Sequence, residues 1–298
     1  MGTNYKPGNL SYAGGLIPFG QGKPTLCVND QMGYYIEEDK VLSELKEGKL
    51  DFILEQAEKS IKLGFNVINV QLMRHGINEA KLVPQVVEKL VKKGSCCVAI
   101  DSRNPKIVDE ALSLYPYKAM CNVVNGEQDN LKAMLPVIAK HGAAIGTALV
   151  DEKGIPQTVQ ERLAVGKKIV DAALAYGIPR EDIMLDAICF PAGVVENSMR
   201  TAQETIKAFH EELGVATLLG ISNAGYMMPK PRLIDLTYFI ACVSWGLDVA
   251  MIDPFTPNLA WFTKAIDFLM GFDPYAVEYL KFYRAEENSK NSADQTVC

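Results

Sequence analysis

Eight times in succession a short apolar run gives way to polar or turn-forming residues and then to a stretch of helical period. The runs are TLCVN, FNVINVQL, SCCVAID, KAMCNVV, AAIGTALV, IMLDAIC, VATLLGIS and DVAMID. Each is nearly continuous in Val, Ile, Leu and Ala, as expected of a parallel strand buried on both faces. After the first run, Leu50, Ile53, Leu54, Ala57 and Ile61 share one helical face. After the second, EAKLVPQVVEKLVKK carries Pro84 in its first turns. Further helices start at Pro105, end near His141, run through Ala175 and begin near Asn197, Arg232 and Asn258. Eight alternating units over roughly 250 residues predict a (β/α)8 TIM barrel of the α/β class. A doubly wound sheet is the competing architecture, but it ordinarily stops at about five or six strands and then changes domain.

No linker interrupts the pattern. Residues 1–24 are expected to form an irregular lead-in, 25–285 the barrel domain, and 286–298 (EENSKNSADQTVC) a disordered polar tail. With 48% hydrophobic and 22% charged residues, a chain of 298 can bury a large core. A net charge of −6 without a clustered basic face argues against nucleic-acid binding. No apolar stretch approaches the ~20 residues of a membrane span, and GGLIPFG is too short and glycine-rich for a signal-peptide core. A cytoplasmic location is the default. GQGKPT resembles a phosphate loop only superficially, since Pro24 stands where Ser or Thr should follow Lys23.

Seven cysteines, at 27, 96, 97, 121, 189, 242 and 298, form no C-x-x-C pair and predict neither disulfides nor a metal site. Most lie in apolar runs, where a thiol acts as a small hydrophobe. His75, His141 and His210 lack metal-ligand spacing, and His141 before Gly142 reads as a helix C-terminal residue.

In a barrel of this kind chemistry sits where strands end. The third strand ends AIDSRNPK, with Asn104 a helix cap and Pro105 a first helical residue, so Asp101 is held at the mouth by a short loop. Asn122 in MCNVVNGE stands at the same level on the fourth strand, Asp186 interrupts the apolar sixth, and Asn223 closes the seventh. Taken singly, Asp101 could cap a helix or pair with Arg103, and the two asparagines could make Asx-turns. Asp186 is harder to dismiss, because a buried unpaired charge costs about several kcal/mol. Together, carboxylates and amides on one rim suit a heterocycle with several N–H donors and acceptors along one edge, such as a pterin. No Lys/Arg cluster marks a phosphate site there.

DSRN, CNVVN, GIPQ, LDAICFP and LGISN, in this order on successive strands, resemble the pterin-binding methyltransferases, and among them the methyltetrahydrofolate:corrinoid protein methyltransferases. The resemblance spans about residues 25–270. It implies that Asp101, Asn122 and Asp186 hydrogen-bond the pterin ring, and that Asn223 is the catalytic residue at the nitrogen that carries or receives the methyl group. It also implies tetrahydrofolate or methyltetrahydrofolate as substrate, a corrinoid (cobalamin) supplied by a partner corrinoid-binding protein, no intrinsic metal and often a homodimer. Asn69 and Gln71 occupy the second-strand positions where relatives read D-x-N; with Arg103, in place of a Thr, and Ser222 they are further candidates. Val123-Val124 replace a Ser-Thr, and the first-strand Glu-Arg-x-Asn signature is absent from LCVNDQM.

Dihydropteroate synthases share barrel and pocket but carry Ser-Arg-Lys at the seventh strand, where this chain has Ser222-Asn223-Ala224. A homocysteine acceptor would require a zinc-thiolate site that no cysteine spacing supplies. No D-x-H-x-x-G cobalt-ligand motif occurs. The expectation is methyl transfer between a protein-bound corrinoid and tetrahydrofolate, leaning to tetrahydrofolate as acceptor in catabolic demethylation. The reverse direction, with methyltetrahydrofolate as donor to the corrinoid protein, is the alternative; a dihydropteroate synthase and a non-catalytic folate-binding subunit are less favoured ones.

Overall fold

The computed structural model describes residues 5–30 and 39–294. Gln31 and Met32 of the LCVNDQM segment, and the last four residues of the polar tail, lie outside the described residues. The chain divides into two compact units, residues 1–256 and 257–298.

The first unit opens with strands β1 (Gly8–Tyr12) and β2 (Gly15–Phe19), followed by β3 (Leu26–Asn29), α1 (Asp39–Lys46) and α2 (Asp51–Lys62). Next come β4 (Val67–Val70), α3 (Glu79–Lys93), β5 (Cys97–Ile100), α4 (Pro105–Ser113), β6 (Met120–Val124) and α5 (Gln128–His141). The remainder is β7 (Ala144–Thr147), α6 (Val159–Ala175), β8 (Ile183–Asp186), α7 (Ser198–Ala208), β9 (Ala216–Gly220), α8 (Pro231–Val243) and β10 (Val249–Ile252). Strands β3 to β10 pair in parallel, each with the next, and β10 closes on β3. The chain forms a TIM barrel. All four residues of β4, β5, β7 and β10 are buried, and each large aliphatic among them contributes about 1.5–3 kcal/mol of hydrophobic stabilisation.

Local chemistry sets the helix ends that aim the loops. Asn78 caps α3 by accepting from the Lys81 N–H at 3.1 Å, and Gly94 ends it in the left-handed region at φ 64°. Thr158 and Glu161 form a reciprocal capping box on α6.

The lead-in is not irregular: β1 and β2 pair as an antiparallel hairpin. Glycines at both strand starts hid it from a period-two reading. Leu10 and Phe19 are fully buried, and Ser11 exchanges backbone and hydroxyl bonds with Lys118, just before β6. The hairpin therefore sits at the N-terminal end of the barrel, opposite the mouth. Tyr5 and Thr217 both donate to Asp248 there, beside His210.

The second unit contains α9 (Leu259–Leu269) and α10 (Val277–Asp294). Trp261 packs edge-on against Tyr279 and Phe282, and Asp273 accepts from the Glu278 and Tyr279 amides. The tail is helical as far as Asp294 rather than disordered. No Gly or Pro interrupts 277–294, so helix propagation continues once begun.

Candidate functional site

At the C-terminal ends of the barrel strands lies a cavity of about 690 Å³. Asn69, Gln71, Asp101, Arg103, Asn122, Asp186 and Asn223 all line it. Seven of the eight residues singled out from sequence thus meet in one place. Ser222 does not: its hydroxyl accepts from the Asp253 N–H at 3.2 Å and ties the end of β9 to the end of β10.

Asp101 follows β5 directly and is 8% exposed. It does not cap α4; Asn104 does, accepting from the Lys106 N–H at 3.0 Å, with Pro105 next in line. Asp101 instead receives the Asn122 amide at 3.2 Å and the Asn69 amide at 3.4 Å, both on Oδ2. Burial pushes its carboxyl up to about 6, against the pull of these bonds and one from Gln71. Asn122 sits where the β6–β7 register shifts. A Cβ on the facing Gly146 would come within 2.8 Å of Asn122 Oδ1, so only glycine leaves that side chain its place.

Asp186 ends β8. Its amide donates to Thr147 Oγ1, and its Oδ1 accepts from the Ile188 N–H, both at 2.9 Å. Burial raises this carboxyl to about 6 as well, opposed by the Ile188 bond and the Arg162 charge. Asn223 closes the short turn Ile221–Asn223 after β9. Gly220 lacks a side chain there, and an added Cβ would lie 3.0 Å from Asn223 Nδ2. Arg103 stands exposed on the rim, the one cation among the described residues of the wall.

Two participants escaped the sequence reading. Asp30, 3% exposed just beyond β3, also lines the cavity; its position at a strand end was the available signal. Arg162 lies behind the wall on α6, buried on the same helix as Val165, Ile169 and Val170. Asn69 lines the cavity beside Asp101, and its side-chain oxygen Oδ1 is buried without a hydrogen-bond partner.

The wall therefore offers acceptors to a ligand with N–H groups on a planar edge. It does not resemble a metal centre: among the described residues no three His, Cys, Asp or Glu side chains converge suitably. Burial pushes the Cys96, Cys97 and Cys242 thiols up to about 12, away from the thiolate form. His141 pairs with Asp109 at 2.6 Å, and no histidine lines the cavity. Among the described residues no helix is long and apolar enough to cross a membrane.

A family profile described as pterin binding enzyme matches residues 36–249. The chain belongs to the pterin binding enzymes. It is 24% identical over 214 residues to a methylcorrinoid:tetrahydrofolate methyltransferase of Eubacterium limosum, covering 70% of this chain and 77% of that one. It is 23% identical over 252 residues to a methionine synthase of Mycobacterium leprae, covering 79% of this chain but 21% of that protein. This pterin binding enzyme thus spans about a fifth of the methionine synthase. Its fold is shared with dihydropteroate synthases from Vibrio fischeri (TM-score 0.63, 18% identity, 89% and 99% of the two chains) and Xanthomonas albilineans (0.67, 14%, 89% and 98%).

The raised carboxyls make a two-sided pH prediction. Asp101, Asp186 and Asp235 bind protons near pH 6 in the native state, whereas in the unfolded chain they do so near about 4. Between these values the native state holds more protons, so the ligand-free protein gains stability as pH falls and loses it as pH rises. A ligand that needs ionised carboxylates weakens over the same window. Thermal melts should show a higher Tm at about pH 5.5 than at about pH 7.5 without ligand, and a smaller shift at the lower pH with any ligand that binds the ionised carboxylates. A ligand-free Tm that rises from about pH 5.5 to about pH 7.5 would contradict the burial of these groups.

Proposed function

We propose that this pterin binding enzyme transfers a methyl group between a corrinoid and tetrahydrofolate, with tetrahydrofolate as the acceptor. The observation that carries the reading is the acceptor-rich wall: Asp101, Asp186 and the unpartnered Asn69 Oδ1 around a cavity with a single rim cation among its described residues. A pterin's amino group and ring N–H supply the missing donors. The similarity to a protein named methylcorrinoid:tetrahydrofolate methyltransferase supports both the reaction class and the direction.

The corrinoid, carried by a separate protein, supplies the methyl group. Asp186 and Asp101 accept from the pterin's donor edge, and Asn122 and Asn69 hold Asp101 in place. Asn223 Oδ1 accepts from the reacting nitrogen's N–H as that nitrogen attacks the methyl group and gains positive charge, its proton then passing to water; in reverse, Nδ2 donates to the neutral tertiary amine until water protonates it, and Oδ1 then holds the new N–H as the methyl group leaves. An amide can do both without titrating. With no histidine in the wall, protons exchange with water.

Dihydropteroate synthesis is disfavoured by charge. A pyrophosphate leaving group needs cations, and the seventh barrel strand ends Ser222-Asn223-Ala224. The deciding experiment mixes the protein with tetrahydrofolate and a methylated corrinoid, following corrinoid absorbance and methyltetrahydrofolate formation. A parallel assay supplies a hydroxymethylpterin pyrophosphate and p-aminobenzoate. Methyl transfer in the first and no product in the second are expected; the opposite pattern would overturn the proposal.

A further inference from the structure

Arg162 is 1% exposed, a guanidinium inside the protein. It leaves the first turn of α6 toward the end of β8. One turn later Gly166 lets the helix lie close, since a Cβ there would come within 2.9 Å of Leu185 Cδ1. Arg162 Nη1 donates to the Ala187 carbonyl at 2.7 Å, Nε reaches the Pro156 carbonyl at 3.4 Å, and the guanidinium carbon lies 5.5 Å from the Phe190 ring centre. Its charge thus meets backbone carbonyls and an aromatic face. Burying a cation in this way is costly, so what it holds is informative.

It holds a strained bend. Ile188 has φ 60°, a left-handed conformation that a β-branched residue rarely adopts. The bend turns the Ile188 N–H onto Asp186 Oδ1 at 2.9 Å and the Ala187 carbonyl back toward Arg162. With Oδ1 engaged, Oδ2 is the oxygen left for a ligand in the cavity.

We propose that Arg162 is a positioning residue: from behind β8 it clamps the Ala187–Ile188 bend and so sets the orientation of the Asp186 carboxylate toward the pterin. This rests on the reading that a pterin occupies the cavity. The clamp also acts by charge, favouring the ionised carboxylate that burial opposes. The other groups facing this pair are Cys189 beyond β8 and Tyr238 on α8. Burial pushes both upward, so neither titrates in the range of Asp186. The β7 neighbour, Thr147, is a neutral hydroxyl.

The test uses Arg162→Met and Arg162→Lys in the full chain, with two readouts. Carboxyl-carbon NMR of the ligand-free protein follows the Asp186 titration, and calorimetry measures tetrahydrofolate affinity at neutral pH. Arg162→Met is expected to move the Asp186 midpoint up by about one unit and to weaken tetrahydrofolate by roughly tenfold. Arg162→Lys keeps the charge but lacks the planar fork, so its midpoint stays near that of wild type while affinity still falls several-fold. In an Asp186→Ala background Arg162→Met should cost no further affinity, because both act through one carboxylate. A role confined to stability would lower Tm and leave the midpoint in place. An unmoved midpoint in folded Arg162→Met overturns the proposal, as does wild-type affinity in Arg162→Lys; the latter decides if Arg162→Met fails to fold. Because the titration needs no ligand, a wild-type protein that does not bind tetrahydrofolate would sink the functional reading and still leave the Arg162–Asp186 coupling measurable.

Discussion

Asn223→Ala is expected to bind tetrahydrofolate within several-fold of wild type and to transfer methyl about 100- to 1000-fold more slowly in both directions. The turn that presents Asn223 is made by backbone: the Ala224 N–H bonds the Ile221 carbonyl at 2.9 Å, and the Tyr226 N–H bonds the Asn223 carbonyl at 3.2 Å. Loss of the carboxamide therefore leaves the turn intact. The proposed contact strengthens as charge develops on the pterin nitrogen, so its loss acts on rate more than on binding. Removing one preorganised group of this kind costs about 2.7–4 kcal/mol. Single-turnover transfer at saturating folate, followed by corrinoid absorbance, measures it. Near-normal turnover would reduce Asn223 to a residue that ends a strand.

Asp186→Ala is expected to weaken tetrahydrofolate binding more than any other single change in the cavity wall, by about tenfold or more. Charge-assisted hydrogen bonds contribute roughly 1.5–3 kcal/mol each. The contrast with Asp101 comes from how the two carboxylates are held. Asp101 Oδ2 already takes the Asn69 and Asn122 amides, so those neighbours can reorganise toward a ligand when it is removed. Asp186 has one oxygen on Ile188 and the other in reserve. Titration calorimetry with tetrahydrofolate gives the comparison, with a melt to verify folding. An unchanged dissociation constant in the folded variant would place the pterin elsewhere.

All eight barrel strands were legible from the chain alone, because a strand buried on both faces has no use for alternation and declares itself as a run of aliphatics. Helix α3 was legible to the residue, since Asn78 and Gly94 mark its ends chemically. The strand-end carboxylates and amides were legible for a related reason: loops as short as Asp101–Asn104 leave a polar residue little choice but the mouth. What the linear chain could not decide was which of two neighbours turns inward. Ser222 and Asn223 are equally polar, and only the turn after β9, with Ser222 engaged by the Asp253 amide, sends Asn223 into the cavity. Asp30 stands at a strand end that the sequence marks, but closure of β3 against β10, a contact between opposite ends of the barrel sequence, is what brings that end into the ring. Arg162 is the extreme case. In ERLAVGKK it reads as one more surface charge, and its burial is created by α6 packing onto β8 and by a left-handed bend at Ile188 that no local preference favours. Periodicity and short-range chemistry determine elements and their ends; which buried polar group supports which is decided by distant segments meeting, and that information exists only once the barrel is closed.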